Sequence, residues 1–236
     1  MSLRTWAAWG VHLYTGIGAP LALIALVASG QGWFGVAFGC MALATFIDAT
    51  DGQLARRVDV KRVLPHFDGS RLDDIVDYLN YVIVPIVLAY QAGLVPPGFW
   101  GLAIASAPLI ASGYGFSHEE AKTADASANY SFTGFPSYWN IVVFYLYAFG
   151  WPVWMNVAIL LTFAVLVFVP IRYLYPSRST VARMTTYVLG GIWGLIMIIL
   201  LSQFPAPSRV LAVVSLYFPV YYVGLSLYLH FRPQPS

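Results

Sequence analysis

Seven of the chain's ten carboxylates fall between Asp48 and Asp77, in two runs separated by a polar stretch: Asp48-Ala49-Thr50-Asp51-Gly52-Gln53-Leu54-Ala55-Arg56 and Gly69-Ser70-Arg71-Leu72-Asp73-Asp74-Ile75-Val76-Asp77. Acids in an otherwise apolar chain are costly and are kept where they act. Two carboxylates about 4 Å apart repel by on the order of 4 kcal/mol at an effective dielectric of about 20, so four together need cations between them. Oxygen ligands without His or Cys favour Mg2+, Mn2+ or Ca2+, and two divalent ions roughly neutralise four aspartates. Such a pair suits phosphoryl chemistry, because it holds a pyrophosphate and steadies the charge that develops on attack. The alternative is that these aspartates cap helices and pair with Arg56, Arg57 and Arg71 at a membrane edge, but capping does not require matched i,i+3 and i,i+4 spacing.

Helices are the elements that must position these groups. On one helix Asp48, Asp51 and Gly52 share a face. On the next, Gly69, Asp73 and Asp77 share another, and Asp74 is turned about 100° from Asp73. The linker 57–68 lets the two faces meet. Arg56, one turn past Gly52, is placed to fork onto a phosphate oxygen, while Gly52, Ala55 and Gly69 leave room for a flat ligand near the backbone.

Around these helices the 236-residue chain is 59% hydrophobic and only 9% charged, with a mean hydropathy of +0.72, far from the composition of soluble domains. An all-α polytopic membrane bundle follows, a single domain over 1–236 with eight spans near 11–29, 32–56, 70–92, 98–116, 134–150, 152–171, 185–203 and 209–230. Gly30-Gln31-Gly32, Pro96-Pro97-Gly98, Gly150-Trp151-Pro152 and Pro205-Ala206-Pro207 punctuate the hairpins. With both termini cytoplasmic, eleven of the twelve Lys and Arg fall inside and Arg209 alone outside, the asymmetry expected of cytoplasmic loops. Trp33, Trp100, Trp151 and Tyr175 fit an interfacial belt; Gly35-x-x-x-Gly39 and Gly190-x-x-x-Gly194 fit close helix packing. The net charge of +2 is too small to suggest nucleic acid. Cys40, the only cysteine, leaves no disulfide framework, and Met1 to Gly10 carries no cleavage pattern of a removable signal peptide. His12, His66, His118 and His230 lack mutual metal-ligand spacing and read as polar helix-end or loop residues.

Asp48-x-x-Asp51-Gly52-x-x-Ala55-Arg56 followed by Gly69-x-x-x-Asp73-x-x-x-Asp77 resembles the signature of the CDP-alcohol phosphatidyltransferases at eight fixed positions. The linker from Arg57 to Asp68 is longer than is usual in that family. The longer form, with Val60-Lys61, Leu64-Pro65 and the run Leu72 to Tyr78, is similar to the bacterial phosphatidylcholine synthases, as is the segment Phe132 to Asn140. The resemblance implies transfer of the phosphatidyl group of CDP-diacylglycerol to choline with release of CMP, in the bacterial inner (cytoplasmic) membrane with the site facing the cytoplasm. It implies that Asp48, Asp51, Asp73 and Asp77 bind two divalent ions, Mn2+ or Mg2+, and that Asp77 is also the general base. It further implies that Gly52, Ala55, Arg56 and Gly69 hold the cytidine and pyrophosphate; Asp74 lies outside the signature.

A quaternary ammonium donates no hydrogen bond and is recognised by aromatic faces, often with a carboxylate nearby. Glu119, Asp125, Tyr130, Tyr138 and Trp139 offer both on the cytoplasmic side, although an aromatic belt beside a solvated acidic loop is the plainer reading of the same residues. Two other readings compete: a sister enzyme using serine, glycerol phosphate or inositol phosphate, and an ion-coupled transporter, since intramembrane acids also mark ion pathways. Lys122 alone between Arg71 and Arg172 speaks against phosphorylated acceptors, and acids crowded on one side of two consecutive helices speak against a midplane transport site. Membrane lipids are partners in either case, and a homodimer is a further partner considered for an enzyme of this size.

Overall fold

Residues 2–117, 122–124, 130–174 and 181–232 are described by a computed structural model, with backbone alone at 122–124 and 130–132. The first helix starts where Ser2 caps it, accepting from the Thr5 backbone N–H. Helix α1 (Leu3–Gly16) buries Ala8, Val11, His12 and Thr15, and α2 (Gly18–Gly30) continues that face with Gly18, Leu21, Ala22, Ala25, Ala28 and Ser29. The three- and four-residue spacing is an apolar stripe, and its small residues let α2 lie close to α3 (Phe34–Val58). The α3 stripe runs Ala37, Phe38, Met41, Ala44, Ile47 and ends on Asp51.

Helix α3 stops at Asp59, which takes the left-handed conformation at φ 56° and ψ 48°. A single turn, α4 (Val60–Val63), packs with Ala8 and Val11 of α1. Asp68 then caps α5 (Gly69–Asp77), accepting from the Arg71 N–H at 3.0 Å. The helix continues without interruption through a wider π turn (Tyr78–Ile83) into α6 (Val84–Gln91). Pro85 in the first turn of α6 has no N–H to give the preceding turn, which is where a π segment is tolerated.

The remaining helices are α7 (Phe99–Ser117), α8 (Trp139–Phe149), α9 (Val153–Leu166), α10 (Arg183–Ser202), α11 (Arg209–Ser215) and α12 (Tyr217–Phe231). Five helical stretches among the described residues are long and apolar enough to cross a membrane: Leu3–Gly30, Phe34–Val58, Phe99–Ser117, Arg183–Ser202 and Arg209–Phe231. The segments expected at 134–150 and 152–171 shorten to helices of 11 and 14 residues. At 1.5 Å per residue the former reaches roughly 17 Å, about half a hydrocarbon core. Its entry stays extended because Gly134 N–H donates to Ile171 O at 2.9 Å and Phe135 N–H to Leu166 O at 3.0 Å. Helix α8 is instead a core element, burying Trp139, Val143, Phe144 and Leu146.

A small antiparallel sheet adds to the helical expectation. β1 (Lys122–Ala124) pairs with β2 (Tyr130–Thr133), and β2 with β3 (Arg172–Leu174), in the order β1-β2-β3. The Tyr222 hydroxyl donates to Leu174 O, and the Leu174 N–H donates to the Ser226 hydroxyl, so α12 holds the sheet. Met184, Val188, Leu195 and Ile198 of α10 are exposed, a surface suited to acyl chains. Trp33, Trp100 and Trp151 sit exposed at helix ends, whereas Tyr175 lies outside the described residues. The paired glycine motifs are only half used: Gly35 faces Phe204 and Gly190 faces Phe218, while Gly39 and Gly194 face open space.

Candidate active site

Asp48 of α3 and Asp73 and Asp77 of α5 come together from helices separated by the linker, each offering a carboxylate oxygen within 4.8 Å of the others. They line a narrow pocket shared with Asp51, Thr15, Gly18, Asn80 and Tyr81. All four expected ligands therefore face one pocket, but Asp51 stands apart from the tight group. It is buried, and the Thr15 hydroxyl donates to its Oδ2 at 2.6 Å. The Tyr81 hydroxyl donates to Asp48 Oδ2 at 2.7 Å. Each bond occupies one oxygen of a carboxylate and orients the other. The all-oxygen donor set fits hard divalent cations. Asp74 does not line the pocket.

Close helix approach builds the pocket walls. A side chain at Gly18 would overlap Val76, so glycine is required where α2 meets α5. At Gly69 an added Cβ would lie 2.5 Å from His12 Cε1. This corrects the reading of His12 as a helix-end residue: it is buried in the middle of α1, against Phe67 with ring centroids 4.3 Å apart, and its Nε2 has no partner among the described residues. Gly52 has only the Arg56 guanidinium above it, 3.4 Å from where a Cβ would stand. Arg56 is exposed at the end of α3, and Ala55 packs beside Val58 and Leu64 against Ala8 and Val60.

The residues expected around choline separate. Tyr138 is half-buried, with its ring centroid 6.1 Å from Tyr81 and 6.2 Å from Tyr222; Tyr222 stacks on Tyr173 at 6.4 Å. A row of four tyrosine rings thus runs from Asp48 to the sheet. Trp139 is corrected to a core position: it is 0% exposed and its indole N–H donates to the Ser112 hydroxyl at 2.7 Å. Glu119 and Asp125 lie outside the described residues, and of Tyr130 only the backbone, in β2, is described.

Sequence spacing did not reveal Thr15, Asn80, Tyr81 or Tyr222. Thr15 reaches Asp51 across 36 residues of chain, and no local signal marks such a pairing. Tyr81 and Asn80 lie four and three residues past Asp77 on the face that lines the pocket, so helical spacing could have found them; being uncharged, they did not stand out from the apolar run.

Residues 12–132 match the family model described as CDP-alcohol phosphatidyltransferase. A phosphatidylcholine synthase of Legionella pneumophila is 39% identical, over 97% of this chain and 91% of the relative. Those of Legionella bozemanae and Pseudomonas aeruginosa are 37% and 35% identical, over 90% and 94% of this chain and 97% and 91% of theirs. The matched region contains the converged aspartates and both helices that carry them, and the chain belongs to the CDP-alcohol phosphatidyltransferase family.

Proposed function

We propose that this enzyme is a phosphatidylcholine synthase, moving the phosphatidyl group of CDP-diacylglycerol to choline and releasing CMP. The convergence of Asp48, Asp73 and Asp77 in the pocket that Asp51 also lines carries this reading, and relatives of that name over nearly the whole chain support it. Asp48, Asp51, Asp73 and Asp77 would hold two divalent ions, Mn2+ or Mg2+, which when bound neutralise the pyrophosphate and the charge that develops on it. Asp77 takes the proton of the choline hydroxyl as that oxygen bonds to the phosphorus bearing diacylglycerol. The bond from that phosphorus to the oxygen bridging to CMP breaks, and CMP leaves with the electron pair. Arg56 at the end of α3 supplies a bidentate contact to phosphate, with Gly52 and Ala55 the floor beneath the nucleotide, whereas the His12 ring fills the space over Gly69, which therefore serves helix packing. Tyr138, with Tyr81 beside it, gives the trimethylammonium an aromatic face.

The same proposal includes one membrane domain of eight spans in a bacterial inner membrane, with termini and site cytoplasmic. Pairing of β2 with β3 supports it, because the connections after α7 and after α9 must then lie on one side, as does packing of α1 on the linker turn. A second copy of the chain fits the exposed face of α10 as well as acyl chains do, and native mass spectrometry separates the two. Purified protein given CDP-diacylglycerol and labelled choline, with and without Mn2+, should form phosphatidylcholine and CMP only with metal. No product from choline, with product from serine or glycerol phosphate, rejects the choice of alcohol.

A further inference from the structure

Asn80 is 3% exposed and lines the pocket of the four aspartates. Its Nδ2 donates to Gly18 O at 2.9 Å and to Val76 O at 3.0 Å. Two carbonyl partners identify that end of the carboxamide as the amine and use both of its N–H groups. The opposite atom, Oδ1, is buried and has no hydrogen-bond partner among the described residues. Buried acceptors in native proteins are almost always satisfied, so one beside a polar pocket calls for a donor or cation there. Asn156 Oδ1 is also unpartnered, but it does not line this pocket.

The chemistry of the walls selects that ligand. The two hydroxyls facing the pocket are already spent, Thr15 on Asp51 and Tyr81 on Asp48, and what remains is a set of acceptor oxygens. A hard divalent cation satisfies several acceptors at once, and a carboxamide oxygen is an ordinary ligand for Mg2+, Mn2+ or Ca2+. Being neutral, Asn80 adds an oxygen without a fifth negative charge. Asp73, Asp77 and Asn80 follow one another at four and three residues on one continuous helix, and all three line the pocket. We infer that Asn80 Oδ1 is a neutral protein ligand of a divalent cation in this pocket, beyond the four aspartates; this rests on the metal-dependent reading above.

The test is Mn2+ binding to the full-length protein in detergent, followed by electron paramagnetic resonance without substrate, together with the melting temperature of the metal-free protein. Asn80→Ala removes the oxygen and should weaken Mn2+ about tenfold; Asn80→Asp keeps an oxygen and should bind as tightly as the parent or tighter. Both variants lose the Nδ2 clamp on Gly18, so similar metal-free melting with different Mn2+ affinity isolates the oxygen. Equal affinities in the two variants, whether at the parent value or weakened alike, overturn the inference. Should Asn80→Ala not fold, 13C-asparagine in the parent protein must show hyperfine coupling to bound Mn2+, and absence of coupling overturns it. A parent protein that takes up no Mn2+ defeats the metal-dependent reading itself, and this ligand with it.

Discussion

Thr15 and Tyr81 each hold one oxygen of a pocket aspartate, so their task is orientation rather than contact with the reacting phosphorus. Partners of this kind typically contribute 10- to 100-fold to metal affinity. Thr15→Val and Tyr81→Phe keep shape and remove one hydroxyl each. Each should raise the Mn2+ concentration for half-maximal turnover by about tenfold, with the CDP-diacylglycerol KM little changed. Gly69 makes a different demand, because His12 occupies the space above it. Gly69→Ala should destabilise by about 1–3 kcal/mol through overpacking. Gly69→Ala combined with His12→Ala should recover part of that loss, a coupling read by a double-mutant cycle in denaturant. Strict additivity would show that the ring and the glycine do not meet.

At the scale of elements, the acid-bearing helices were legible because the carboxylates follow helical spacing. What surrounds them was not. Asn80 and Tyr81 keep the helical spacing of Asp73 and Asp77 but are uncharged residues in an apolar run, Thr15 comes from a helix with no acid of its own, and β2 and β3 are four and three residues long, too short for a period to show. Trp139 looked available because aromatic residues near a helix start resemble a belt; only packing shows that Ser112 takes its N–H. Asp59 belongs to the acidic stretch, yet its left-handed backbone makes it the stop of α3. Asp59→Gly should therefore be neutral to turnover and stabilise by about 0.5–1 kcal/mol, seen as a small rise in melting temperature. A fall in turnover would give that side chain a chemical role.

For the whole molecule, the sheet ties together connections that lie far apart in the chain, and the linker turn packs on α1. With Cys40 replaced by Ala, a cysteine at His66 should react with an impermeant maleimide only in inverted membranes, and one at Arg209 only in right-side-out cells. Labelling of both from one side would break the eight-span arrangement. The charge asymmetry that suggests this topology is a property of the whole chain and does not depend on where any one helix ends.

The row of phenol rings that begins at Asp48 has a practical consequence. A ligand arriving at that carboxylate changes the electrical surroundings of the Tyr81 hydroxyl, and the adjoining chromophores are close enough to share the disturbance. Near-ultraviolet difference absorbance then serves as an intrinsic optical gauge of occupancy, one that needs no attached dye and is muted by Tyr81→Phe.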